Sequence, residues 1–330
     1  MPTFINPDHL TLSQALELQQ YDSAAKFVKS VEKKSTLAQL LPWLPTSHGD
    51  LHKGVKAASL PNGSFGAINK AIAGGNASTL AYEETVKVFE LKNVIDRRLL
   101  DGRKAEDAAK IREARDRLFG MGFMQSFAKE LVTNDGTSAD AVKGLLPRRN
   151  ALGDYCISAG GTSTNNGHLG DILFIRPGED GICLRYPGNA GKPNFRQEDL
   201  GLINELQLSS TGTVLGSYPA YETIWQLYYL MDIFDDKSVI RLCNIPTNTA
   251  MTSAMVNNVI DISATLPENG EGYFAIAPKK VIAQFQKYCL DKNNIAFSYQ
   301  EVQGMGRPMH IFNIPLFPEE YMPDNLNVIS

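Results

Sequence analysis

The chain is 330 residues long, 43% hydrophobic and 21% charged, which is the composition of a folded globular protein and not of a disordered one; at this length two lobes, or one core with appendages, are expected. No apolar run approaches the roughly 18 residues that cross a bilayer, Met1 to Asp8 lacks the basic and apolar parts of a secretory leader, and the four cysteines show no CxxC spacing, so neither a membrane partner, an export signal nor a zinc or redox motif is expected. The net charge of −4 is uneven, with 17 basic and 13 acidic residues over 44–150 but 11 and 19 over 151–330, a split that suits a subunit with one face toward nucleic acid.

The chain opens with an arm. Thr11 and Gln14 have capping-box spacing for a short helix to about Gln20, and Asp22 is placed to cap a second from Ser23 to about Lys34. Leu37, Leu40, Leu41, Trp43 and Leu44 then form an apolar knot punctuated by Pro42 and Pro45. Thr46 to Ser78 follows, rich in glycine, with Leu51, Val55, Leu60, Phe65, Ile68 and Ile72 scattered without a sustained period. A stretch of this kind has no core of its own, and a two-stranded ribbon alone is marginal in water. Trp43 and these six residues are therefore expected to bury against neighbouring subunits, the strategy of an obligate oligomer.

Regular structure resumes at Tyr82, where a long strand is predicted to about Asp96. Asp101 is positioned to cap a helix over Lys104 to Val132, about 43 Å long at 1.5 Å per residue. Phe119, Phe123, Phe127 and Leu131 repeat every four residues on one face, while Ile111, Leu118 and Met121 share another. Arg112 with Asp116 and Glu113 with Arg117 have supportive i,i+4 spacing. Gly120 and Gly122 lie inside, each costing about 1 kcal/mol relative to alanine; simple tolerance and a bend or close backbone contact are both open explanations.

Beyond Asn150 strands dominate: Asp171 to Ile175, Gly181 to Tyr186, a short Glu205 to Leu208, Tyr221 to Met231 and Ser238 to Ile245. Met251, Met255, Val259 and Ile262 mark a helix, Gly272 to Ala277 a strand, and Pro278 opens a second helix through Cys289. His310 to Ile314 is expected to pair with Asn325 to Ile329 at the end, and Asn244 to Pro318 reads as a compact α/β lobe.

Tests for chemistry find little. His48 and His52 are four apart, but Gly49 and Gly54 oppose a helix and no third ligand is near. His168 lies in a polar glycine-rich loop. Ser158 to Thr162 and Gly304 to Gly306 are not followed by helices, as a phosphate cradle requires. Asp235–Asp236 and Glu319–Glu320 read as solvated charges, and the cysteines as buried small hydrophobes. No catalytic, cofactor or metal residue is assigned.

Several segments carry a family resemblance. Ser59 to Asn69 (SLPNGSFGAIN) resembles the passage "proline, small, Phe-Arg-x-Ile-Asn" of the extended loop in tailed-bacteriophage major capsid proteins with the Hong Kong 97-like fold, with Gly66 in place of the usual Arg. Lys143 to Arg149 (KGLLPRR) resembles the passage after their spine helix. Ile157 to Thr162 (ISAGGT), Gln197 to Gly201 (QEDLG), Ile224 to Gln226 (IWQ) and Val239 to Ile245 (VIRLCNI) are similar to further family segments in the same order, although Asp235–Asp236 departs from their usual Arg-Asp. The resemblance spans nearly the whole chain. It implies an α+β fold with an N-terminal arm (1–45), an extended E-loop hairpin (46–78), a peripheral domain with the long spine helix (79–243 plus 319–330) and an axial α/β domain (244–318). It implies a structural subunit, not an enzyme, that assembles as hexamers and pentamers into an icosahedral shell around double-stranded DNA. Portal, scaffold and cement proteins would be its partners, and the host cytoplasm and then the virion its location. A soluble α/β enzyme and another shell-forming, encapsulin-like protein are the alternatives.

Overall fold

The structure is a computed structural model that describes residues 35–59, 61–63, 65, 74, 76–208, 210–291, 297–299, 308–311 and 313–330. The two helices expected before Lys34 lie outside the described residues. In chain order the elements are α1 (Thr36–Leu40), β1 (Trp43–Pro45), β2 (Leu51–Ser59), β3 (Ser78–Thr85), β4 (Lys87–Asp96), α2 (Ala105–Thr133), α3 (Leu145–Arg148), β5 (Cys156–Ser158), β6 (Leu169–Ile175) and β7 (Ile182–Tyr186). They continue with β8 (Asn194–Leu208), β9 (Val214–Ile233), β10 (Val239–Pro246), α4 (Ser253–Thr265), β11 (Phe274–Ala277), α5 (Lys279–Asp291), β12 (Phe297–Tyr299), β13 (Met309–Ile311) and β14 (Ile314–Pro318).

Three sheets organise the chain. The first runs β1-β7-β9-β4, with β8 also paired to the long β9. The second runs β12-β13-β14-β11-β6-β10-β5, and the third is the ribbon β2-β3. The second sheet thus unites strands from both sides of the expected boundary at Asn244, which itself falls inside β10. The reason is local: β6 and β10 are buried at every position, mostly with apolar side chains and with Asp171 and Arg241 paired to each other, so both faces of these strands must be covered.

One core cluster joins α2, the arm and the first sheet to one face of the second sheet through Leu173, Ile175, Phe274 and Ile276, and the other lies between the opposite face of the second sheet, α4 and α5. In α2 the Phe123, Phe127 and Leu131 face is buried as its spacing predicts. Phe127 meets Tyr229 edge to face at 5.0 Å, and Phe89 packs 4.9 Å from Phe123. The other apolar face stays outward, with Leu118 67% exposed. Helix α2 starts one residue later than predicted and Asp101 does not cap it; the N-cap is Lys104, without a side-chain bond, and Asp101 instead accepts from Arg97 Nε at 3.3 Å. Arg112 bonds Asp199 of β8 and stacks over Tyr221, and Asp116 accepts from Asn93 at 2.7 Å, so the expected Arg112–Asp116 pair gives way to tertiary partners.

Other expectations change for equally local reasons. The single strand expected over Tyr82 to Asp96 is divided at Val86, because β3 pairs with the ribbon while β4 joins β9. Asn325 to Ile329 forms no strand with β13; it runs beside β6 through one bridge, Leu169 to Leu326, and is tied down by the Asn244 side chain. Asn244 holds a left-handed φ of 62° at the bulge in β10, a conformation that asparagine tolerates better than most residues. A Cβ on Gly161 would stand 2.4 Å from the Asn244 carbonyl, so the glycine in ISAGGT serves close backbone approach. Arg241 donates to Asp171 and to the carbonyls of Leu146 and Arg149, which fastens the KGLLPRR turn onto the second sheet.

Candidate assembly surface

The segment Thr46 to Ser78 contributes one arm of a hairpin whose return strand extends to Thr85. Leu51 to Ser59 pairs antiparallel with Ser78 to Thr85, in one register from Leu51–Thr85 to Ala57–Thr79 and shifted by a residue at Ser59–Ser78. The alternation of a strand then sorts the side chains into two faces. On one face, Val55 is 57% exposed, and at the neighbouring positions Lys53 and Glu83 form a surface ion pair. Leu80 is 61% exposed and Phe65, toward the tip, is fully exposed. Leu51 is half-buried at the root. Leu60, Ile68 and Ile72 lie outside the described residues.

Trp43 is a correction. It is buried within its own subunit, 3% exposed, with its ring 6.3 Å from that of Phe127, and Leu37, Leu40 and Leu41 bury with it. The apolar knot is a core element because α2 and β7 offer it a groove: β1 adds to β7 in parallel and α1 lies against α2. Glu319, expected to be solvated, is buried and caps α1 by accepting from Leu37 N (3.1 Å) and Ser35 Oγ (3.2 Å). Burial pushes its carboxyl up to about 7.

The root of the ribbon is bolted to the body by a buried carboxylate. Asp232 of β9, 1% exposed, accepts from Arg185 Nε at 2.7 Å and from the Tyr82 hydroxyl at 3.0 Å, and it lies 3.2 Å from His52 Nε2. Lys56 Nζ donates to the Ile233 carbonyl at 2.6 Å and sits 5.0 Å from the centre of the Tyr82 ring. Tyr82 crosses directly over Gly54, where a Cβ would stand 2.3 Å from the ring. Burial, and then the Arg185 charge, lower the His52 pKa, while burial and the Asp232 charge raise that of Tyr82. This node was not legible beforehand, since Asp232 and the ribbon are far apart in sequence and each reads as an ordinary strand residue.

His48 and His52 do not converge: His48 is exposed beside Ser47, and His52 is turned inward to Asp232. Among the described residues no group of three or more His, Cys, Asp or Glu is arranged to hold a metal ion. Helix α2 is continuous through Gly120 and Gly122. Gly120 is buried, whereas a Cβ on Gly122 would meet open space, so no close backbone contact requires that glycine.

A second projection was missed. The hairpin β8-β9 continues past the end of β4, whose last residue, Asp96, pairs with Ala220. Beyond that point it is two-stranded and carries Leu206, Val214 and Leu215 exposed, with Leu202 exposed just before it. The signal was present as leucines at positions 200, 202, 206 and 208, a period of two that marks a strand with one outward apolar face.

Comparison with known proteins follows the same lines. The family model described as "Major capsid protein GP7" matches residues 19–318. No curated protein matches the chain in sequence. A chain in the structure of bacteriophage epsilon15 is 16% identical, with 87% of each chain covered and a TM-score of 0.59, a likeness of fold. A chain of the bacteriophage JBD30 capsid is 11% identical, with 88% of this chain and 91% of that one covered and a TM-score of 0.44.

Proposed function

We propose, for a chain that belongs to the family of major capsid protein GP7, that the β2-β3 ribbon is the E-loop through which each copy leans on its neighbours. The fold is of the Hong Kong 97-like capsid type, and the protein forms the shell of a virion. In our reading the subunits assemble in the host cytoplasm as hexamers and pentamers, enclose double-stranded DNA, and meet portal, scaffold and cement proteins there. Contact with DNA would be non-specific and would fall to the basic stretch 44–150. The role is structural, and we assign no catalytic step to it.

The observation that carries the ribbon's role is the exposure of Val55 and Leu80 on a two-stranded element that cannot bury them itself, together with that of Phe65 between its strands. We divide the body by its sheets. The first sheet with α2 forms the peripheral domain. The second sheet, with α4 and α5, forms the axial domain and takes in β5, β6 and β10. The second hairpin, Leu202 to Leu215, is a further contact between copies. Gly120 and Gly122 allow α2 to bend as one sequence occupies non-equivalent shell positions.

The test shortens the ribbon above its root. Ser59 Oγ and Ser78 Oγ are 2.6 Å apart, so a two-residue glycine turn can join these positions and remove 60–77. The shortened chain is expected to keep its circular dichroism and melting temperature but to form no closed shells by electron microscopy and light scattering. Shells of normal yield and stability from that chain would refute the assignment. Loss of folding would show instead that the tip packs within its own subunit.

A further inference from the structure

The four cysteines are too far apart in sequence to suggest a pair, yet the fold brings two of them together. Cys156 lies on β5 and Cys243 on β10, which run parallel; Cys156 is opposite Arg241 and Ser158 is opposite Cys243. Residues two apart on a strand share a face, so both thiols point the same way, and their sulfurs are 3.8 Å apart. Both side chains are buried. Cys183, also buried, is in β7 of the other sheet.

We propose that Cys156 and Cys243 are an intrasubunit disulfide site that is reduced during assembly and closed afterwards by a peroxide-class oxidant. Three features support it. A disulfide needs its sulfurs about 2.05 Å apart, so the gap must shrink by less than 2 Å. The three-residue edge strand β5, hydrogen-bonded to a neighbour on one side only, is the element able to supply that movement. Access exists as well: an open cleft of about 450 Å³, lined by Lys143, Arg148, Arg149, Asp154 and Tyr155, reaches Cys156. Third, the two thiols are unequally placed: Cys156 lines the cleft and meets an oxidant first, whereas the Cys243 sulfur lies behind it, 3.4 Å from the Ile157 carbonyl.

The chemistry balances with hydrogen peroxide as the oxidant. The Cys156 thiolate attacks one peroxide oxygen, the O–O bond breaks, and Cys156 becomes a sulfenic acid as hydroxide leaves. The Cys243 sulfur then attacks the Cys156 sulfur, the S–O bond breaks, and the hydroxyl leaves with the Cys243 proton as water. Overall two thiols and one peroxide give one disulfide and two waters. A particle formed in a reducing cell and released outside meets the two conditions in that order. This timing rests on the capsid reading, but the bond itself does not.

The experiment uses the full-length protein, assembled and unassembled, treated with dilute hydrogen peroxide, alkylated and mapped by mass spectrometry. The expected product is a Cys156–Cys243 linked peptide pair, two hydrogens lighter than its parts, with two thiols lost per chain and both restored by dithiothreitol. Closing a loop of 87 residues should raise the melting temperature by about 5 °C. Cys156→Ser and Cys243→Ser should each abolish both effects. Peroxide that leaves both thiols free, carries Cys156 to sulfinic acid without a bridge, or links different subunits would overturn the proposal. Because the mapping is done on the wild-type chain, a variant that fails to fold does not obscure the result. A bridge formed in protein that makes no shells would uphold the site and refute the capsid reading alone.

Discussion

The arm segment Leu37 to Leu44 and the excursion Thr46 to Ser78 both carry apolar residues without a long period, and Trp43 of the first and six residues of the second were expected to seek partners in other subunits. They behave oppositely. The arm segment finds a groove between α2 and β7 and becomes core, whereas the ribbon projects and keeps Val55, Phe65 and Leu80 in solvent. Local composition does not separate the two cases. What separates them is whether a complementary surface exists within reach on the same chain, and that is a property of the assembled fold.

Substitutions break this contrast most sharply. Trp43→Ala removes a buried ring from the core and should cost about 3–5 kcal/mol of subunit stability in urea denaturation. Phe65→Ala should leave the urea midpoint unchanged while reducing shell yield in light scattering. Equal effects on folding would erase the distinction between the segments.

The node beneath the ribbon comes next. Asp232→Ala leaves Arg185 buried without its carboxylate, a change worth about 3 kcal/mol or more. Hydrogen exchange should then quicken in Leu51–Ser59 and Ser78–Thr85 before it does in α2. If both regions accelerate together, the ribbon is not held separately from the body.

A smaller effect concerns the arm. Because the folded carboxyl of Glu319 is raised to about 7, its contribution is fully present below the ordinary glutamate value near 4.5 and is lost as pH rises through about 7. The loss should reach about 3 kcal/mol at most. Melting temperatures measured from pH 5 to pH 8 should fall with rising pH, and Glu319→Gln should flatten the curve. The smallest change expected is a gain. Gly122→Ala places a methyl in open space on a continuous helix and should stabilise the subunit by about 1 kcal/mol. If α2 must bend in the shell, the same variant should assemble more slowly, read as the rate of rise in scattered light.

The capsid architecture was legible from an ordered set of family segments, and most strands from alternation or buried apolar runs such as ILFI at 172–175. The assembly surface was legible in part. The glycine-rich excursion announced a projecting element, but Trp43 of the arm was wrongly expected to share its contacts with other subunits, and the leucines of the second hairpin were passed over because Glu205 to Leu208 was taken as a short strand.

Periodicity and turn chemistry are local properties of a chain, so α2 and the buried strands β6, β10 and β11 could be read from residue order, whereas the hairpin over 46–78 was implied only by the family resemblance. Burial, ion pairing and sulfur contact depend on what arrives from distant positions. The inward turn of Trp43, the Asp232 node and the meeting of Cys156 with Cys243 follow from contacts between positions 84 or more residues apart, a long-range outcome that no local window encodes.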